Sequence, residues 1–281
     1  PSKEALGFRV PLYGFDQWQK LFTHRQLLSL GTFVKWTRSA TKSITNYGYS
    51  EGWREGIANY LALQNDKVAD YNSQICVWHL SGEKIGHTFT RFALPITWDF
   101  TELAVTNDVG GAYLAQLDWL SRFIDHALNA GTGAIKPMVI NQSAIETMTG
   151  DYDAIITDPP YYDAIPYSDL MDFFYVWLRR TLNGLSANAD HALREHLSPK
   201  WDHDKNDGEL IDDASRHDGD KTKSKNVYED GMARVFQECH KNLKPEGKMV
   251  VVFANKQPAA WEALVSALIR SGFIVDGSWP I

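Results

Sequence analysis

A chain of 281 residues is long enough to bury about three quarters of its extended-chain surface, as one large domain or two small ones, without covalent staples. Its formal net charge of −7 excludes a general attraction for phosphate, so any nucleic acid has to be met by a local basic patch. Cys76 and Cys239 are far apart and outside any Cys-x-x-Cys pair. That argues against a zinc ribbon and fits a reducing cytoplasm; no metal and no membrane are expected, since no apolar run approaches the roughly 18 residues of a spanning helix.

The first predicted piece is short and extended, at 7–11. Thr23 then reads as an N-cap, with Leu27, Leu28, Leu30 and Phe33 at helical spacing as a buried stripe. His24 and Arg25 at that helix start are candidates for meeting a phosphate or a cofactor carboxylate; capping plus a solvated first turn is the simpler reading. A long helix at 51–71, with Trp53, Ile57, Leu61, Val68 and Tyr71 on one side, reads as structural. A strand at 74–79 turns at Ser81-Gly82, and His79 is a lone histidine with no partner spacing.

In 89–100, Pro95 interrupts an aromatic-rich extended run and leaves Arg91, Trp98 and Asp99 close together. This is either an edge strand with proline at a non-bonding position or a loop flanking a ligand. A helix at 112–128 is stopped by Gly131. Gly131-x-Gly133 follows a helix and leads into a strand at 137–141, the reverse of a nucleotide-binding glycine loop. Gly110-Gly111 does precede a helix, but the next strand ends at Asn141 instead of a carboxylate.

The apolar run 153–157 then stops at Asp158-Pro159-Pro160-Tyr161. Paired prolines bring no amide donors and a nearly fixed φ, so the chain leaves the strand extended, with nearby carbonyls open to donors. If 153–157 is an inner parallel strand, Asp158 and Tyr161 stand just beyond its carboxyl end, where open α/β sheets bind ligands.

A helix at 169–182 follows, opened by Ser168 or Asp169 and apolar at Leu170, Phe173, Phe174, Trp177 and Leu178. Residues 183–226 turn polar and read as an insertion or mobile loop, solvated or touching nucleic acid. The Asp-rich 201–209 run misses the EF-hand pattern because Gly208 falls one place late, and His191, His196, His203 and His217 lack metal-ligand spacing. The remainder reads as a helix at 228–243, a turn at 243–247, a β-branched strand at 248–254, a helix closed by Gly272 and a last strand at 273–281. Such alternation predicts a parallel sheet with right-handed crossovers. The start at Pro1 and the end inside a predicted strand lead us to expect a segment of a longer protein.

Asp158-Pro159-Pro160-Tyr161 resembles the signature of the S-adenosylmethionine-dependent amino-methyltransferases, which methylate the exocyclic nitrogen of adenine or cytosine. The run from Thr157 to Trp177, with Tyr161-Tyr162-Asp163 and Asp172-Phe173-Phe174-Tyr175-Val176-Trp177, is similar to large prokaryotic proteins described as adenine-specific DNA methylases. A weaker similarity extends over most of the chain. The resemblance implies an α/β fold with a class I methyltransferase (Rossmann-like), largely parallel sheet. A mainly helical region, 1–130, would pack on a catalytic region, 131–281, that carries the polar insertion 183–226. It further implies S-adenosylmethionine as cofactor and DNA as partner, with other subunits or a missing amino-terminal part of the same protein alongside. The glycine-rich cofactor motif of such proteins lies more amino-terminal and is expected outside this segment.

On that resemblance Asp158, Pro159, Pro160 and Tyr161 are the catalytic residues. Asp158 and the Pro159 carbonyl would accept the two amine hydrogens of a flipped-out base, and Tyr161, with Tyr162 in reserve, would stack on it. Asp158, Asn141 and Ser143 are the candidate cofactor contacts. The other readings are a cytosine-N4 or RNA-base amino-methyltransferase and, in another class, a non-catalytic nucleic-acid-binding or assembly module.

Overall fold

Thr23 accepts the Gln26 amide on its hydroxyl (3.2 Å) and the Gln26 side chain returns to the Thr23 amide (2.7 Å), a capping box that starts α1 (His24–Ile44) where the sequence places it. The computed structural model describes residues 1–3, 5, 7–89, 93–147, 149–163 and 165–279. These sort into two compact units, 1–137 with 168–198 and 138–167 with 199–281.

In the first unit α1 packs on α2 (Glu51–Asp70), and a short antiparallel pair, β1 (Trp78–His79) with β2 (Lys84–Ile85), precedes α3 (Tyr113–Ala130). Most of α4 (Tyr167–Leu182) and all of α5 (Ala187–Ala192) belong here too. The core gathers Phe8, Phe22, Leu30, Val68 and Leu94 around Phe173 and Trp177. The Phe22 ring stacks on Phe173 with centroids 5.7 Å apart and meets Trp177 edge-on at 5.6 Å, contacts that add about 0.5–1.5 kcal/mol each to area burial. A second cluster sets Ala58 and Ala62 of α2 against Tyr175, Leu182 and Leu193.

In the second unit β3 (Tyr152–Thr157) pairs in parallel with β6 (Leu243–Val251), in register from Ala154 opposite Lys248 to Thr157 opposite Val251. Between them in sequence come a small hairpin, β4 (Trp201–Asp202) with β5 (Asp207–Gly208), and α6 (Lys221–Asn242), capped by Asp220 accepting the Lys223 amide. Helix α7 (Pro258–Arg270) packs on α6, and Tyr228, Met232, Phe236, Phe253, Ala260 and Leu264 form the core between helices and sheet.

The chain is thus mixed α/β with a two-stranded parallel sheet in its second unit, but the longer series of strands does not form among the described residues. Segment 137–141 makes no ladder, and Met138 and Val139 are 78% and 92% exposed. Described residues 273–279 likewise make none, and Pro280 and Ile281 of that predicted strand lie outside the described residues. A strand is defined by its neighbour, and neither segment has one to bond. The strand expected at 74–79 shrinks to Trp78–His79. The turn expected at 243–247 is instead an irregularity inside β6: Tyr152 stands opposite Leu243 but Ala154 opposite Lys248, so residues 244–247 face the single residue Asp153 out of register. The polar stretch 183–226, expected as a loop, carries α5, the hairpin, a 3-10 turn at Ala214–His217 and the first turns of α6. Leu28, placed in the buried stripe of α1, is 72% exposed, and Trp53 on the expected face of α2 is 63% exposed. Among the described residues no helix is long and apolar enough to cross a membrane.

Candidate functional site

The carboxyl ends of β3 and β6 lie side by side, joined one step past the ladder by the Val252 amide donating to the Thr157 carbonyl (2.8 Å). Asp158 is the next residue, and the two prolines after it have no amide with which to continue pairing. The turn that results is tied down from three directions. The Pro160 carbonyl accepts from the Tyr162 amide (2.9 Å) and from the Tyr228 hydroxyl of α6 (2.8 Å). The Tyr161 carbonyl accepts from Asn255 Nδ2, just past β6 (3.0 Å), and the Tyr162 carbonyl from the Asp212 amide (3.2 Å).

Upstream of these held carbonyls two acceptors stay open. Among the described residues nothing donates to the Pro159 carbonyl, and the Asp158 side chain is exposed. The Asp158 carboxylate faces the Tyr161 hydroxyl and, with some burial, pushes that phenol's pKa above its ordinary value. Tyr167, at the start of α4, has its own pKa raised by burial first and by Asp158 second. The mouth of the turn is therefore an electronegative, acceptor-rich edge, suited to an N–H donor or a cation.

Tyr161 is partly buried, its ring edge-on to Phe253 at 5.6 Å and 80°. Phe253 meets Trp261 edge-on, and Trp261 Nε1 donates to the Asn255 carbonyl (2.9 Å). Asn255 Oδ1 accepts the Gln257 amide (2.8 Å) and Gln257 Nε2 donates to Asp163 (2.6 Å), so the backbone on either side of the turn is braced. Tyr162 is different. It holds φ at 61°, a left-handed conformation costing a bulky residue roughly 1–2 kcal/mol, and its ring is 5% exposed, edge-on to Tyr228 at 5.0 Å. Burial, and then the Asp212 carboxylate facing the hydroxyl, raise its pKa. Of the two tyrosines, Tyr161 is the one left beside the open acceptors.

The candidate cofactor contacts are not gathered in the same way. Ser143 donates its hydroxyl to Asp207 (2.9 Å), and Asn141 is exposed in a segment that forms no strand. In the first unit, Arg25 is engaged by the Glu102 carboxylate, with Nε 2.7 and 2.6 Å from its oxygens. Trp98 is fully exposed, and Asp99 accepts the amide of Phe100. Arg91 lies outside the described residues. No group of three or more His, Cys, Asp or Glu side chains capable of holding a metal gathers among the described residues.

Sequence reading missed Tyr228, Asp212 and Asn255. Asn255 carries a legible signal, since it follows a β-branched run as Asp158 does and so falls at a strand's carboxyl end. Tyr228 shares helical spacing with Met232 and Phe236 and reads as core, which it is; nothing local announces where its hydroxyl goes. Compared with models of known protein families, with curated proteins and with solved structures, the chain matches none.

Proposed function

We propose that this chain carries the base-gripping part of an S-adenosylmethionine-dependent amino-methyltransferase acting on adenine N6 in DNA, built on a Rossmann-like sheet to which β3 and β6 contribute. One observation carries the reading. An exposed carboxylate, Asp158, and an undonated carbonyl, Pro159, stand in succession beside the aromatic Tyr161, past the ends of two parallel strands.

The lone pair of an exocyclic amine is delocalised into its ring, which makes the nitrogen a poor nucleophile. Two acceptors that each take one N–H draw the nitrogen toward tetrahedral geometry and return the lone pair to it. Tyr161 offers a ring on which the base stacks, worth about 1–3 kcal/mol, which offsets part of the few kcal/mol needed to take a base out of a duplex. S-adenosylmethionine supplies the methyl group as a sulfonium cation. Ser143 is bonded to Asp207 and the strand expected to present it with Asn141 does not form among the described residues, so support for the reading comes from the base side alone.

Asp158→Ala in the protein carrying this chain is expected to lower methyl transfer from labelled S-adenosylmethionine to an adenine-containing oligonucleotide by about 10²–10³-fold. Because Asp158 is exposed, the thermal unfolding midpoint should not change. Undiminished transfer by the variant refutes the reading. The acceptor pair recognises an amine and not a particular ring, so cytosine-N4 transfer is the second reading. Matched adenine, cytosine and RNA substrates separate the two.

A further inference from the structure

We infer that Tyr228 and Asp212 are positioning residues for the acceptor pair, holding the Pro159 carbonyl and the Tyr161 ring in their working orientation; the inference rests on the reading of the site just given. The Pro160 ring fixes φ at that residue, so a single soft angle, ψ of Pro160, relates the Pro159 carbonyl to the Pro160 carbonyl. The Pro160 carbonyl is in turn gripped by the Tyr228 hydroxyl at 2.8 Å and the Tyr162 amide at 2.9 Å. Holding it sets the direction in which the Pro159 oxygen looks out.

The second grip falls on Tyr162. Its left-handed backbone persists only while something opposes relaxation. Three contacts do so: its ring lies edge-on to the fully buried Tyr228, its carbonyl accepts the Asp212 amide, and its hydroxyl faces the Asp212 carboxylate. Asp212 is itself fixed by the Ser224 hydroxyl at 2.5 Å. If Tyr162 relaxed to negative φ, the 161–162 peptide would rotate and the Tyr161 ring would swing away from Asp158. The polar stretch is in this view part of the site's framework, since Asp212 and Ser224 both come from it.

Tyr228→Phe keeps the buried ring and removes only the hydroxyl. It is expected to lower kcat for adenine methyl transfer by about 10²-fold, the loss typical of a small misplacement, with KM for the oligonucleotide within about twofold. Asp212→Ala should do the same, while Asp212→Asn, which keeps a side-chain oxygen, should restore most of the rate; this pair carries the test if Tyr228→Phe does not fold. A second measurement is the 19F spectrum of protein bearing 3-fluorotyrosine at position 161, with one sharp resonance expected in the wild type and broadened or multiple resonances in Tyr228→Phe and Asp212→Ala. A kcat within about twofold of wild type, or a fall in kcat with an unchanged 19F spectrum, overturns the inference. If the wild type transfers no methyl group, or Asp158→Ala transfers as well as wild type, the reading of the site fails, and the 19F comparison alone decides whether these residues set the turn.

Discussion

Asp66 illustrates how far a single side chain escapes pattern reading. It sits toward the end of α2 at 5% exposure, and its Oδ1 is buried without a hydrogen-bond partner. Burial pushes its carboxyl well above the ordinary value of 3.8. The folded state therefore favours the protonated form: the penalty for ionising this group is absent below about pH 3.8 and grows as pH rises from there to the folded-state pKa. Asp66→Asn, which removes the buried charge, is expected to stabilise the protein at pH 7 by about 1–3 kcal/mol, with the advantage shrinking as pH falls toward 4. Urea unfolding of both proteins at the two pH values measures it. Helical periodicity selects Trp53, Ile57, Leu61 and Val68 as the inner face of α2, yet Ala58, Ala62, Gln64, Asn65, Asp66 and Ala69 are buried alongside Val68. Apolar spacing reveals a buried face only when that face is apolar, and this one is largely small and polar. Asp158 was legible for the opposite reason, because the prolines after it fix the backbone whatever surrounds them.

At the scale of elements, the polar stretch shows what charge composition hides. Residues 183–226 have little that advertises order, but Glu209, Arg216 and Asp213 pair at 11%, 9% and 5% side-chain exposure, and Ile211 and His217 are buried. Its hairpin depends on Gly208, whose φ of 147° belongs to glycine and where an added Cβ would stand 2.1 Å from the Lys200 carbonyl oxygen. Gly208→Ala is expected to open the β4/β5 pair at a local cost of about 1–3 kcal/mol. Hydrogen exchange reads the change directly, as faster exchange at the Glu209 amide, which donates to Lys200 (2.8 Å). Helix α3 makes the complementary point. Its period and its stop at Gly131 were readable, yet Trp119, Phe123 and Leu128 are 65%, 56% and 61% exposed. An amphipathic pattern specifies a helix without specifying what, if anything, lies against it.

For the molecule as a whole, each unit has its own hydrophobic centre, Phe173 with Trp177 in one and Tyr228 with Phe236 in the other. Phe173→Ala and Phe236→Ala should each cost about 3–5 kcal/mol, and amide exchange should show the first stripping protection from 1–137 and 168–198 and the second from 138–167 and 199–281. One of the three crossings of the chain between units, at Tyr167 and Ser168, falls within a helix, and no composition shift marks it. Strands 153–157 and 248–251 were legible because each finds the other, and 137–141 was not realised because sequence pattern reports a preference for extension and says nothing about company. The Pro159 oxygen adds a last consequence. It belongs to the main chain, so no codon change at position 159 deletes it. If the turn grips a base as proposed, its sensitivity should surface instead at codons 212, 224 and 228, whose side chains bond around the turn, as loss-of-function alleles.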